Sequence, residues 1–256
     1  MTKRWDIEKF YSYSIEGVKL KFVDDRRFSR ATRYFCYAVS QQALLLLTML
    51  IATSFPVAAE SVASKSKAAP SHERIMVFGD SLSAAYGISP TEGWVALLEK
   101  KMKARGVTVV NASISGETSG GGLSRIRTDL ARQKPTIVLL ALGANDGLRG
   151  LPVAETRKNL EGIIKAARAT KARVVIIGIQ IPPNFGIDYA ANFRDMYPSL
   201  AKQYRLALVP FLLEGVADKL ELFQADRLHP VAAAQPAILQ NILPVVEKTL
   251  KAKANK

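Results

Sequence analysis

The sequence predicts an α/β protein: a three-layer α/β/α sandwich around a five-stranded parallel sheet. Three observations predict it. From Arg74 onward, short runs of Val, Ile and Leu alternate with longer stretches whose apolar residues recur at helical spacing. The strand runs are continuously apolar rather than alternating, the pattern of strands buried on both faces. Clusters of Gly, Asn, Asp and Pro separate the two kinds of segment.

Taken in order, "RIMVFGD" (74–80) is a short buried strand ending in Gly-Asp. "EGWVALLEKKMKARG" (92–106) is a helix with a glycine stop at Gly106. "VTVVNAS" (107–113) is the second strand, and "GGLSRIRTDLARQ" (121–133) a helix with a loose glycine start. "PTIVLLALG" (135–143) is the third strand and "PVAETRKNLEGIIKAARAT" (152–170) its helix. "ARVVIIGIQI" (172–181) is the fourth strand. "NFRDMYPSLAKQYR" (192–205) is a helix with a break expected at Pro198. "LALVPF" (206–211) is the fifth strand, and "AILQNILPVVEKTLKAK" (237–253) a closing helix with a disturbance expected at Pro244. Such units connect with one hand, and five strands suggest the doubly wound, flavodoxin-like order 2-1-3-4-5. The alternation itself does not name neighbours.

The domain so defined spans 74–252, followed by a short tail, 253–256. Ahead of it lies a different kind of sequence. Arg26, Arg27, Arg30 and Arg33 precede an apolar core from Ala43 to Ile51, which ends in Pro56-Val57-Ala58-Ala59. A basic n-region, a short apolar h-region and small residues at −3 and −1 describe a secretory signal cleaved after Ala59, so the chain is expected to be exported, to a periplasm. The core is short of the ~20 apolar residues of a spanning helix; a retained inner-membrane anchor over 34–55 is the alternative. The basic region is long for a signal, which a start codon assigned upstream of the true one explains. Residues 60–73 are small and polar and read as a flexible linker.

Composition then narrows the chemistry. The one cysteine, Cys36, precedes the domain, so the domain has no disulfide, Cys-based zinc site or thiol nucleophile. The two histidines are His72, in the linker, and His229. The formal charge of +14 leaves +10 beyond Ala59 once the nine Lys/Arg and five Asp/Glu of 1–59 are set apart. No basic and aromatic interleaving of a nucleic-acid module is present. The charge reads as solvated helix faces, with attraction to anionic lipid heads or acyl carriers as the sharper reading.

Four polar spots stand just past strand ends: Ser81; Gly116 in "NASISGETSGGG"; Asn145 in "LGANDG"; and Asp226 with His229 in "ADRLHP". Ligands of open parallel sheets bind outside the carboxyl ends of strands where the order reverses. In order 2-1-3, Gly116 and Asn145 flank Ser81. A serine hydroxyl needs a base, and His229 is the domain's histidine. Asp226, three residues earlier, can accept its Nδ1–H and fix the tautomer. The amides of Ser81 and Gly116 and the Asn145 side chain supply three donors for an oxyanion. Each residue also has a plain reading: Ser81 as a helix N-cap, Asn145-Asp146-Gly147 as turn chemistry, Gly116 as a turn glycine, Asp226 as a cap or surface charge, His229-Pro230 as a helix-start turn. Asp80 reads as structural, bonding amides of the turn, and Trp94 as core rather than ligand wall. The glycine run lacks the Lys-Ser/Thr of a phosphate loop.

In this order, "GDSLS", "SISGET", "GAND" and "DRLHP" resemble the four blocks of the SGNH (GDSL) hydrolases, across roughly 74–250. "FGDSLSAAYG", "GANDGLRG" and "IQIPPNFGIDYAANFRDMYP" are similar to the periplasmic thioesterase, lysophospholipase and arylesterase branch. The resemblance implies an enzyme acting on acyl esters and thioesters, lysophospholipids among them, without metal or organic cofactor. It implies Ser81 as nucleophile, His229 as base and Asp226 as its orienter, with Ser81, Gly116 and Asn145 as oxyanion donors. It also implies that the loop 181–189 adjusts over the acyl chain, with Ile181, Pro182, Pro183, Asn184 and Phe185 as its substrate-binding residues. A carbohydrate O-deacetylase of the same fold is the alternative, and an exported binding module with an anion site at Ser81 a third. Acyl-chain length, natural substrate and oligomeric state stay open.

Overall fold

The computed structural model describes residues 73–252. The expected leader or anchor (1–59), all but the last residue of the expected linker (60–73) and the tail (253–256) lie outside the described residues, as does His72.

Five parallel strands form one sheet in the order β2-β1-β3-β4-β5. They are β1 (Arg74–Gly79), β2 (Thr108–Asn111), β3 (Ile137–Ala141), β4 (Arg173–Ile177) and β5 (Ala207–Val209). The expected order is the observed one. Register runs Ile75 to Val109 on one side of β1 and Ile75 to Ile137 on the other. The central strands are the apolar runs: every residue of β3 is buried, as are Ile75–Gly79 of β1 and Val174–Ile177 of β4. The edge strands β2 and β5 are shorter and partly exposed. Burial on both faces explains why the central runs show no alternation.

Helices cover both faces: α1 (Trp94–Lys103), α2 (Ser119–Gln133), the short α3 (Ala144–Leu148), α4 (Val153–Ala169), α5 (Ile187–Tyr204) and α6 (Gln235–Lys251). α1 packs with α6, while α2 packs with α4 and α4 with α5. Each long helix turns an apolar stripe to the sheet, such as Trp94, Val95, Leu98 and Met102 of α1.

The structure corrects three expectations. No break occurs at Pro198: α5 is continuous from Ile187, five residues ahead of the expected start. An interior proline costs about 3 kcal/mol. Phe193, Met196, Tyr197 and Leu200 on the same helix are buried, and burial of one such side chain is worth about 1.5–3 kcal/mol. Packing therefore outweighs the lost hydrogen bond. α6 likewise runs uninterrupted through Pro244, with Ile238, Ile242, Leu243 and Val246 buried. Finally, α2 starts at Ser119, because the Thr118 side chain accepts the Gly121 amide at 3.2 Å and caps the glycine run. Glu73 is tied to the sheet: its carbonyl accepts the Thr108 amide and its carboxylate lies 2.7 Å from Arg173.

Candidate active site

β1 ends at Gly79, where a Cβ would come within 3.0 Å of the Ala141 carbonyl and closer still to Ser83. The chain then coils into turns over Ser81–Gly87, and no helix begins until Trp94. Ser81 is not a helix cap. The turn is held from inside: the Asp80 carbonyl accepts the Ser83 and Ala84 amides at 3.1 and 2.9 Å, and Asp80 Oδ1 accepts the Leu82 amide at 3.0 Å. The Trp94 indole N–H donates to the Leu82 carbonyl at 3.0 Å. Trp94 is fully buried and braces the turn from beneath, as core rather than ligand wall.

The loop after β5 brings the histidine back. Asp226 Oδ1 accepts the Leu228 and His229 amides at 2.9 and 3.0 Å, closing a tight turn around the carboxylate. Gln224 N–H donates to the His229 carbonyl at 2.8 Å, and a bridge between Phe223 and Pro230 seals the loop base. The imidazole is thereby aimed at the first strand. Its Nδ1 lies 2.6 Å from Asp226 Oδ2 and its Nε2 2.8 Å from Ser81 Oγ, across 148 residues of sequence. The Tyr86 ring lies against the imidazole, centroids 4.4 Å apart.

The two carboxylates beside this row have opposite characters. The backbone amide of His229, then its imidazole and the Leu228 amide, hold the Asp226 carboxyl at about 2. It is ionised throughout the neutral range. Burial pushes the Asp80 carboxyl up to about 7; Asp146 and Glu117 add to the rise, while the Leu82 amide opposes it. Asp80 Oδ2 and the neighbouring Ser83 Oγ, both buried, have no hydrogen-bond partner among the described residues.

Gly116 and Asn145 line the same cleft as Ser81 and His229. Gly116 has a φ of 78°, left-handed backbone that favours glycine. The amides of Ser81 and Gly116 meet no acceptor among the described residues. Asn145 is the second residue of the short helix α3 rather than part of a plain turn. One N–H of its side chain donates to the Glu117 carbonyl at 2.9 Å, which leaves the second free. Gly143, with a φ of 123°, lets β3 swing into α3; a Cβ there would stand 2.2 Å from the Tyr197 hydroxyl. Asp146 fastens α3 to the start of α2, accepting from the Ser119 hydroxyl at 2.5 Å and the Ser119 amide at 2.8 Å. Ser81, Gly116 and Asn145 thus stand on three adjacent strand ends, β1, β2 and β3.

The cleft holds about 620 Å³. Its apolar lining includes Leu148, Ile179, Ile181, Pro182, Phe211 and Phe223. Of the loop residues expected to contact an acyl chain, Ile181 and Pro182 line it, while Asn184 and Phe185 are exposed in a turn of 3₁₀ helix, Pro183–Phe185, outside the lining.

Sequence reasoning missed the residues that join the two halves of the site. Gln224 Nε2–H donates to the Tyr86 carbonyl at 2.8 Å, tying the histidine loop to the serine turn. Gln235 accepts the Trp94 amide at 3.0 Å and donates to the Val231 carbonyl at 3.5 Å. A lone glutamine carries no pattern that would have marked either. Asp146 was legible as a turn residue, not as the bolt between α2 and α3. Among the described residues, no cluster of three His, Cys, Asp or Glu is arranged to hold a metal ion.

A parallel α/β/α sandwich that gathers a serine, a glycine, an asparagine and a histidine at its strand ends defines a hydrolase of the SGNH type. Comparison with known proteins agrees. The family described as GDSL-like Lipase/Acylhydrolase matches residues 77–236, and the chain belongs to that family. Esterase TesA of Pseudomonas aeruginosa is 47% identical over 180 residues, which cover 70% of this chain and 90% of that protein. Thioesterase 1/protease 1/lysophospholipase L1 of Escherichia coli is 41% identical over 65% of this chain and 79% of its own. Among solved structures, that of TesA superposes with a TM-score of 0.67 at 47% identity, over 69% of this chain and 99% of that one. The psychrotrophic esterase EstA of Pseudoalteromonas sp., in a structure inhibited by monoethylphosphonate, gives 0.67 at 41%, over 70% and 99%.

Proposed function

We propose that this chain is a serine esterase that cleaves carboxylic esters and thioesters of acyl chains through an acyl-enzyme. One observation carries the residue assignment: the unbroken row from Ser81 Oγ through His229 to Asp226, with steps of 2.8 and 2.6 Å. His229 Nε2 takes the Ser81 proton as Oγ attacks the carbonyl carbon. Ionised Asp226 holds the Nδ1–H tautomer and stabilises the imidazolium. The oxyanion accepts from the amides of Ser81 and Gly116 and the free N–H of Asn145. The intermediate collapses, the C–O or C–S bond breaks, and the leaving alcohol or thiol departs with the proton from Nε2. Water, deprotonated by the same nitrogen, then attacks the acyl carbon and frees Ser81 as the carboxylic acid leaves.

The apolar cleft wall suits an acyl chain better than a sugar ring, which speaks against O-deacetylation of carbohydrate. The names of the relatives, esterase, arylesterase and thioesterase/lysophospholipase, point to the same substrate class. Export with cleavage near Ala59 remains our reading of the leader; among the described residues no helix is long and apolar enough to cross a membrane.

The test is covalent. A fluorophosphonate should label the wild-type protein at Ser81, and Ser81→Ala should lose labelling together with about 10⁴–10⁶ of kcat on p-nitrophenyl esters. Undiminished turnover by purified Ser81→Ala would remove the assignment.

A further inference from the structure

Six large apolar side chains are exposed among the described residues: Tyr86, Ile114, Phe185, Ile187, Leu220 and Leu228. Single exposed apolar residues scattered over a surface need no explanation. These are not scattered. Tyr86 and Leu228 line the cleft and stand out from it. Ile114 immediately precedes Ser115 and Gly116 in the loop after β2, its amide bonded to the Gly79 carbonyl. Phe185 follows Ile181 and Pro182 in the loop after β4, Ile187 opens α5 directly behind that loop, and Leu220 lies between β5 and Phe223 of the lining. All six stand on segments that leave the carboxyl ends of strands, Phe185 and Leu220 in turns of 3₁₀ helix and Ile187 on the first residue of α5, and none lies in a connection that runs from a helix to the next strand. Ile187 is 79% and Leu220 65% exposed, yet neither lines the cleft. Substrate binding inside the cleft does not explain them.

We propose that this apolar collar docks the domain, cleft first, on the surface of an aggregated zwitterionic lipid. An exposed apolar patch of this kind marks an interaction surface, and its continuity with an acyl-lined cleft selects the occupant. A lipid surface presents acyl chains directly to the mouth. Charge decides the headgroup. Exposed Glu92, Asp188, Glu214 and Asp218 stand at this end against Arg149, Lys219 and Arg227, so there is no cationic excess to attract an anionic surface. The docked face gains its affinity from apolar area, as interfacial segments do. The docking goes beyond the esterase reading, which supplies its purpose but is not needed to measure it.

The experiment uses the full chain and vesicles of diether phosphatidylcholine, which has no carboxylic ester to cleave. In Ile187→Trp, the added indole should shift to the blue on vesicles, whereas an indole placed by Lys101→Trp should not. Leu220→Ser should weaken vesicle partition about tenfold or more, from the apolar burial lost, and leave turnover of dispersed p-nitrophenyl acetate unchanged. An unshifted indole at 187 overturns the docking. So does a shift confined to the Lys101→Trp protein, or preference for anionic vesicles, since both put the contact elsewhere. If the serine variant itself loses turnover of dispersed ester, the Ile187→Trp reading still decides. Loss of the esterase reading would show separately, as wild-type protein inert to dispersed ester yet still shifted on vesicles.

Discussion

The two ends of the sheet are made from the same five strands and differ in nearly every other respect. At the carboxyl end the strands open into irregular loops and short helical turns, which carry Ser81, Gly116, Asn145 and His229 together with the large apolar residues that are exposed among the described residues, Ile187 at the head of α5 included. At the amino end the connections are short and the helices finish in cations: Lys100, Lys101 and Lys103 on α1, Arg132 on α2, Arg168 on α4, Lys202 on α5, Lys248 and Lys251 on α6. Three of these connections turn on a basic residue in left-handed backbone, Lys134, Lys171 and Arg205. Cations there face the negative end of each helix macrodipole, a stabilising arrangement worth about 0.3–1 kcal/mol apiece at an exposed site. One end is built for backbone economy and charge compensation, the other for reach. Among the described residues, the basic balance is thus partly an account of how the helices stop.

That contrast can be broken or sharpened by substitution. The largest effect after loss of Ser81 belongs to Asp226→Asn. An amide N–H in place of Oδ2 imposes the wrong imidazole tautomer, and kcat should fall by about 10²–10⁴. Steady-state kinetics on a p-nitrophenyl ester measure it, and a change confined to KM would contradict the orienting role. Asn145→Ala should lower kcat by about 10²–10³ with little change in KM, the mark of a donor used in the transition state.

Asp80→Asn tests the same end for stability rather than rate. In the unfolded chain this carboxyl ionises near its ordinary ~3.9. In the fold it keeps its proton up to about 7. The folded state therefore binds the extra proton between those values, and the group lowers stability as pH rises from about 4 to 7. Asparagine, isosteric with the neutral acid, removes that slope. The Tm of the variant should rise relative to wild type at pH 8 and match it near pH 4; a gap that does not change with pH would argue against a buried neutral acid. The smallest effect is expected at the opposite end. Lys100→Gln/Lys101→Gln/Lys103→Gln should leave kcat and KM within about twofold and cost under about 1 kcal/mol per site in a denaturant melt. A large kinetic loss there would mean the two ends are not separate in function.

How much of this was legible in the sequence depended on whether a residue acts locally or across the fold. The central strands could be read because burial on both faces leaves continuous apolar runs, and the four polar spots because each follows such a run. Pro198 and Pro244 misled because a local backbone rule was applied where a buried face decides. The start of α2 was missed because the Thr118 cap lies outside the glycine run it organises. Ser81 taken alone also read as a cap; the turns over 81–87, with no helix before Trp94, remove that reading, and the closure across 148 residues sets His229 beside it. Gln224 and Gln235 were invisible for the same reason: their partners, Tyr86 and Trp94, are more than 130 residues away.

That long closure has a consequence for the life of the polypeptide. Ser81 is made early and His229 near the end, on a loop followed by α6, which begins at Gln235 and packs beside α1. A chain still being synthesised, with His229 not yet made, holds an ordinary serine. On the proposed mechanism, labelling by a phosphonate reports the closure that sets His229 beside Ser81.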